Sequence, residues 1–544
     1  MPKAEHFDYV IVGSGSAGGV LAARLSEDAG VRVLLLEAGP DDAGEDAIRI
    51  PLAFSTLFKT RWDWRYETEP QAALGGGRAF WPRMKALGGC TSMNAMIYIR
   101  GNRLDYDGWR DDHGAEGWGY DDVLPYFVRA EANTRLDAPY HGREGPLHVE
   151  DRVFTHPLSH AWVEAAAQDG LARNDDFNGA AQEGAGLYQV TCKDGARWSV
   201  ADAYLRPAMA RPNLAVRTGA FATRVLFDRG RATGVAYRQR GEDAVAEADR
   251  EVILSAGAIN TPQLLMLSGV GPADHLREQG IDVVADLPGV GENLHDHPVV
   301  PLLWYTHGTT DVAEGSTLTG LLRWKLTGRG PLASNVAEAG AFFRTLDSLD
   351  APDIQIHAAP TGFWDNGLHE PAARMLTLGP TLVDVHSRGR ITLRSADPRW
   401  HPRIDPRYLD DGRDLDALLA GTRRTIEIAS HRPLAKFLAG AFLPWRGPGI
   451  APVPMGSLTD DDLHAHVRAL TQTLYHPVGT CAMGTGPRAV VDPALRVRGV
   501  EGLRVADASV MPKVPRGNTN APTIMVGEKA ADLLRAQTPH EAPR

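Results

Sequence analysis

The residues best suited to chemistry near the start of the chain are the glycines of Gly13-Ser14-Gly15-Ser16-Ala17-Gly18 and the carboxylate of Glu37. The glycines follow the β-branched run Asp8-Tyr9-Val10-Ile11-Val12, which reads as a buried parallel strand. They lead into Gly19 to Leu25, whose alanines and leucines favour a helix. Such a turn brings backbone close to a pyrophosphate, and the helix start offers it unpaired N–H groups. A second apolar run, Val31 to Leu36, ends at Glu37, about 20 residues further on, where a carboxylate can hold ribose hydroxyls. The set points to a dinucleotide, with Gly13, Gly15, Ser16, Ala17, Gly18, Glu37 and Ala38 as its contacts; it does not separate FAD from NAD.

Other reactive side chains carry less. Cys90, Cys192 and Cys481 are too few for a disulfide framework and too widely spaced for a paired-cysteine zinc site. His295 and His297 alternate in a turn, but the neighbourhood offers no obvious further ligands, so no metal is expected.

Four further blocks are more specific. They are Ala86-Leu87-Gly88-Gly89-Cys90-Thr91-Ser92-Met93-Asn94-Ala95-Met96-Ile97-Tyr98-Ile99-Arg100-Gly101, the stretch Gly257 to Gly271 with Pro262 expected in the first turn of a helix, Tyr475-His476-Pro477-Val478-Gly479-Thr480, and Leu503 to Pro512 followed by Gly517 to Gly527. Together with the glycine turn, and in this order, they resemble the glucose-methanol-choline oxidoreductase family from end to end. The resemblance implies FAD rather than NAD. It places Gly88, Gly89, Thr91, Asn94, Ala95, Met96 and Ile97, and later Asp507, Ala508, Thr519 and Asn520, against the cofactor. The stretch from Gly257 is expected to be architectural.

An alcohol becomes a carbonyl by losing a hydroxyl proton and an α-hydride, so such a site needs a base beside a hydride acceptor. The resemblance makes His476 that base and Asn520 the group that hydrogen-bonds the substrate oxygen, where other members of the family carry a second histidine. Met93 stands where some family oxidases attach FAD through a histidine, so the flavin is expected to be non-covalent. Val299 to Tyr305 lacks the carboxylate that choline-oxidising members place there, which ranks choline below apolar or aromatic alcohols. The acceptor is expected to be a quinone or another carrier. An oxygen-using oxidase of aryl or furfuryl alcohols stays open, as do hydroxynitrile lyases and fatty-acid photodecarboxylases, which resemble the same family, and a nucleotide-binding module without turnover.

The elements that must position these residues suggest an α/β protein: a Rossmann-like FAD-binding domain, discontinuous in sequence (1–155, 190–297 and 465–544), a connecting segment (156–189), and a substrate-binding lobe on an antiparallel sheet (298–464). Alternating stretches such as Ile354-Gln355-Ile356-His357 and Arg390-Ile391-Thr392-Leu393-Arg394 read as its strands. Trp304, Tyr305, Phe363 and Trp364 are its candidate pocket residues. With 544 residues, 43% of them hydrophobic, the chain exceeds what one core usually serves. A formal net charge of -11 argues against nucleic acid and for small-molecule partners. No run of 18 apolar residues occurs, so the expectation is a soluble cytoplasmic protein, with peripheral membrane contact left open.

Overall fold

The computed structural model describes residues 5–371, 373–447 and 452–536. Strand Glu5–Val12 lies between Val33–Leu36 and Glu242–Leu254, parallel to both, with Val12 opposite Leu36 and Leu254. Leu214–Arg217 continues the sheet beyond Val33–Leu36. On its other edge the long strand Glu242–Leu254 serves two further partners: its first half pairs antiparallel with Arg231–Gln239, and its last three residues pair parallel with Leu503–Val505. Ala220–Asp228 closes the far edge. Strands 5–12 and 33–36 are apolar throughout their buried stretches because helices and loops cover both faces.

The second sheet is antiparallel and has eight strands. Its main path runs Leu438–Phe442, Leu302–Thr306, Met375–Leu382, Ile354–Ala359, Ala339–Phe343 and Gly184–Leu187. Pro298–Val299 and Gln472–Thr473 extend it from Met375–Leu382. Gly184–Leu187 comes from the expected connecting segment, and Gln472–Thr473 lies four residues before His476 and brings that residue to the sheet. The expected strand at 390–394 forms, as Arg390–Thr392, in a separate pair with Arg403–Asp405.

Helix Asn520–Ala536 returns the end of the chain to helix Gly18–Leu25. A Cβ on Gly527 would lie 2.9 Å from the Ala17 backbone, so glycine is required for this approach. The buried Glu528 carboxylate, costly if left alone, accepts from Arg24 at 2.9 Å, from Arg129 at 3.0 Å and from the Tyr204 hydroxyl at 2.8 Å. Helix Gly257–Leu267 carries Pro262 at its sixth residue, one turn later than expected. No helix among the described residues is long and apolar enough to cross a membrane.

Candidate functional site

A cavity of about 610 Å³ runs from the glycine turn to the antiparallel sheet. At one end the chain leaves strand Glu5–Val12 through Gly13, whose φ of +98° and whose approach to the Ser255 carbonyl, 2.5 Å from a would-be Cβ, admit only glycine. Three helix starts meet here: Gly18–Leu25, without a side-chain cap, Gly257–Leu267, whose first N–H is bound by the Asp507 carboxylate, and Asn520–Ala536. Their first turns leave backbone N–H groups for an anion. Glu37 is buried beside them and burial raises its pKa. Its Oε2 accepts from Ser14 N (3.1 Å) and Ser14 Oγ (2.6 Å), and its Oε1 from Gly39 N (2.7 Å). One acceptor position on Oε1 is left for a hydroxyl. These donors and this acceptor fit the pyrophosphate and ribose of a dinucleotide.

Of the expected cofactor contacts, Gly13, Gly15, Ser16, Ala17, Glu37, Ala38, Gly89, Asn94, Ala95, Met96, Ile97, Asp507, Ala508, Thr519 and Asn520 line the cavity. Gly18, Gly88 and Thr91 do not, for reasons of packing. A Cβ on Gly18 would strike the Gly13 carbonyl at 1.9 Å, and Gly88 is left-handed with Ser92 Oγ 2.6 Å from a would-be Cβ. Thr91 Oγ1 is spent on the Gly88 carbonyl (2.6 Å) and the Val200 N–H (3.0 Å). The Asp507 carboxylate is likewise spent within the protein. It caps its own turn through Ser509 N (2.8 Å) and ties down Gly257 N (2.8 Å) and Thr261 Oγ1 (2.6 Å).

His476 stands at the other end. Its backbone N–H donates to Asp296 Oδ1 at 2.7 Å, and Asp296 Oδ2 accepts from Thr473 Oγ1 at 2.6 Å and from the Tyr408 hydroxyl, so one buried carboxylate fixes the turn. His476 Nδ1 lies 3.0 Å from His297 Nδ1. The Val383 carbonyl favours a proton on the His297 ring. His297 Nε2 is buried without a hydrogen-bond partner among the described residues, and when His476 Nδ1 is the donor to His297 Nδ1 the His476 ring keeps an unprotonated Nε2. Burial, then His297, His357 and Arg83, hold the pKa of His476 well below the usual histidine value. It is therefore neutral at pH 7. His295, the other histidine of the alternating pair, accepts from Val514 N at Nε2 (2.9 Å) and meets the Asn293 carbonyl at Nδ1 (2.6 Å).

The amide that meets His476 Nε2 is Asn518, whose Nδ2 is 3.4 Å away. Asn520 does not take that place. It is the first residue of the helix, and its Oδ1 accepts from Ser16 Oγ at 2.8 Å, joining the C-terminal helix to the glycine turn. Asn518 precedes the helix, and its Oδ1 accepts from the buried Gln355 Nε2 at 3.2 Å. Two identical side chains two residues apart gave the sequence no means of choosing between them.

The wall nearest His476 is aromatic, but not as expected. Phe363 lines the cavity; Trp304 is buried in the main core, Tyr305 packs on Phe442, and Trp364 stacks on His369 and meets Phe442 edge-on. Their places go to Phe54 and Phe58, around the short helix Pro51–Leu57, and to Tyr475. Phe54 meets Phe363 with centroids 5.8 Å apart, and Phe58 meets Tyr475 at 5.9 Å. Met93 joins this cluster. The acids on the cavity wall are Glu37, Asp63 and Asp507. Asp63 is occupied by the backbone N–H groups of Lys59, Arg65 and Arg83. Backbone with positive φ also gathers on the wall, at Met96 (58°), Val336 (71°) and Tyr475 (70°). For a β-branched valine this conformation is costly, and such strain concentrates at functional sites.

Family models described as GMC oxidoreductase match residues 7–299 and 385–527. The chain is 44% identical to an alcohol dehydrogenase [acceptor] of Pseudomonas putida, over 97% of this chain and 95% of that one. It is 43% identical to human mitochondrial choline dehydrogenase, over 98% and 90%. A structure of Aspergillus oryzae formate oxidase, from work on its FAD modification, superposes with a TM-score of 0.91 at 26% identity, covering 99% of both chains.

Proposed function

We propose, on the premise that the chain belongs to the GMC oxidoreductase family, that this FAD-dependent enzyme of CH–OH donors oxidises a primary alcohol with an apolar or aromatic body to its aldehyde. The observation that carries the reading is the pairing of a neutral His476 Nε2 with the Asn518 amide at the aromatic end of the cavity. His476 takes the hydroxyl proton at Nε2, and its Nδ1–H bond to His297 keeps the ring in the tautomer that can do so. Asn518 Nδ2–H donates to the substrate oxygen as its negative charge grows. The aromatic wall holds the body of the substrate and excludes water. FAD, when bound, supplies the acceptor for the α-hydride. Gly13 to Ala17, Glu37 and the uncapped start of helix Gly18–Leu25 would hold it. Met93, a thioether, offers no nucleophilic nitrogen for a flavin bond, which supports non-covalent binding.

Among the described residues the wall near His476 includes no uncommitted carboxylate, which favours a neutral substrate over choline. For the acceptor, a quinone or another carrier is supported by the relative named alcohol dehydrogenase [acceptor]. Molecular oxygen is the second reading, supported by the likeness to an oxidase. Replacing His476 by alanine tests the assignment. Flavin should stay bound while its reduction by alcohol slows by roughly 10² to 10⁴; unchanged reduction would remove His476 from the mechanism.

A further inference from the structure

Helix Leu318–Thr327 buries one large side chain, Trp324, whose indole N–H donates to the Gly195 carbonyl at 2.9 Å. Its opposite side is apolar and open. Leu318, Leu322 and Leu326 are 83%, 58% and 75% exposed. Their spacing of four places them in one stripe along the helix. Single exposed leucines are common on soluble proteins; three aligned on one short helix are not.

The charges around the stripe have one sign on the helix itself. It carries no acid, Arg323 and Lys325 are exposed on it, and Arg329 is exposed just past its left-handed cap Gly328. Lys325 pairs with Asp46, which leaves the two arginines to face outward. A second apolar feature adjoins the stripe: a groove of about 440 Å³ lined by Leu52, Ala53, Leu318, Leu321 and Leu332 among others. The short helix Pro51–Leu57 separates this groove from the main cavity, with Ala53 on one side and Phe54 on the other.

Aligned leucines flanked by arginines are the pattern of a helix that lies in the plane of a lipid interface, apolar side chains at the acyl boundary and cations among the headgroups. From this geometry and charge we infer that the face of helix Leu318–Thr327 docks on the surface of an anionic phospholipid bilayer. The chain's net charge of -11 does not oppose this at contact, because charges more than about 8 Å away are largely screened at physiological salt. Docking places the Phe54 side of the substrate cavity next to the bilayer. The inference stands apart from the catalytic assignment, since it uses none of the same residues.

The test is co-sedimentation of the holoenzyme with vesicles of phosphatidylcholine, alone or mixed with phosphatidylglycerol. The wild type should bind the mixed vesicles, and less so at high salt. The triple variant Leu318→Ser, Leu322→Ser, Leu326→Ser and the pair Arg323→Glu, Arg329→Glu should each lose roughly tenfold or more of that binding, with thermal stability and turnover with a soluble dye unchanged. Leu318→Glu alone, at the most exposed position, gives the same reading should the triple variant fold poorly. Absence of binding by the wild type, or binding kept in the leucine variants, overturns the inference. So does a wild-type dimer that ignores vesicles and becomes monomeric in the leucine variants, since the face then meets a second copy of the chain.

Discussion

Asn518 Nδ2 and His476 Nε2 face each other at 3.4 Å across 42 residues of sequence, and both side chains are held from behind. His297 holds the imidazole at 3.0 Å and Gln355 holds the amide at 3.2 Å. Each partner leaves one polar atom at the cavity: Nε2 of the histidine and Nδ2 of the asparagine.

The two asparagines should therefore behave differently. Asn518→Ala removes the donor to the substrate oxygen, and kcat/KM should fall by about 10² to 10³. Asn520→Ala breaks the Ser16 bond between the C-terminal helix and the glycine turn, and should cost about 1 kcal/mol of stability with a small effect on flavin reduction. Thermal unfolding and anaerobic stopped-flow separate the two outcomes, and an Asn520 variant slower than the Asn518 variant would reverse the assignment.

Gln355 acts as a positioning residue for Asn518. Its Nε2 donates to Asn518 Oδ1 and to Tyr188 Oη (3.1 Å), which turns the Asn518 N–H toward His476. Gln355→Glu replaces that donor with an acceptor and favours the flipped amide; Gln355→Leu removes the constraint. Both should lower kcat by about tenfold, with KM less affected, equivalent to about 1.4 kcal/mol at the barrier. A purely packing role would instead show as lost stability in Gln355→Glu and Gln355→Leu with kcat intact.

Acid should destabilise the fold through its buried histidines. Burial lowers His297 to about 3 and His357 to about 4, and holds His476 well below its ordinary value. A histidine whose folded pKa lies below its unfolded value near 6.5 contributes stability that is complete above about pH 6.5 and is lost as pH falls toward the folded value. Stability should decline from about pH 6.5 to about 4, by on the order of 1 kcal/mol per pH unit for each such histidine. Urea midpoints at about pH 7 and about pH 5 measure this, and His357→Asn should flatten the slope. Equal wild-type midpoints would contradict it.

The cofactor end was legible in the sequence because its constraints are local. A fully covered strand must be apolar, Gly13 must take positive φ, and Glu37 must end the next strand, so residue types a few positions apart carry the signal. The substrate end was not. Phe54 and Phe58 arrive from far along the chain through a short helix with no mark of function, while Trp304 and Tyr305 alternate along a strand whose faces are set by distant partners. His476 was singled out through its motif, and the amide that meets it lies two residues before the expected Asn520, because the helix start at Asn520 has no unambiguous signal among Asn518-Thr519-Asn520.

The most direct test of the central claim is the flavin spectrum of the purified holoenzyme mixed anaerobically with a panel of primary alcohols. Apolar or aromatic alcohols should bleach the flavin. A flavin that stays oxidised across the whole panel would contradict that claim.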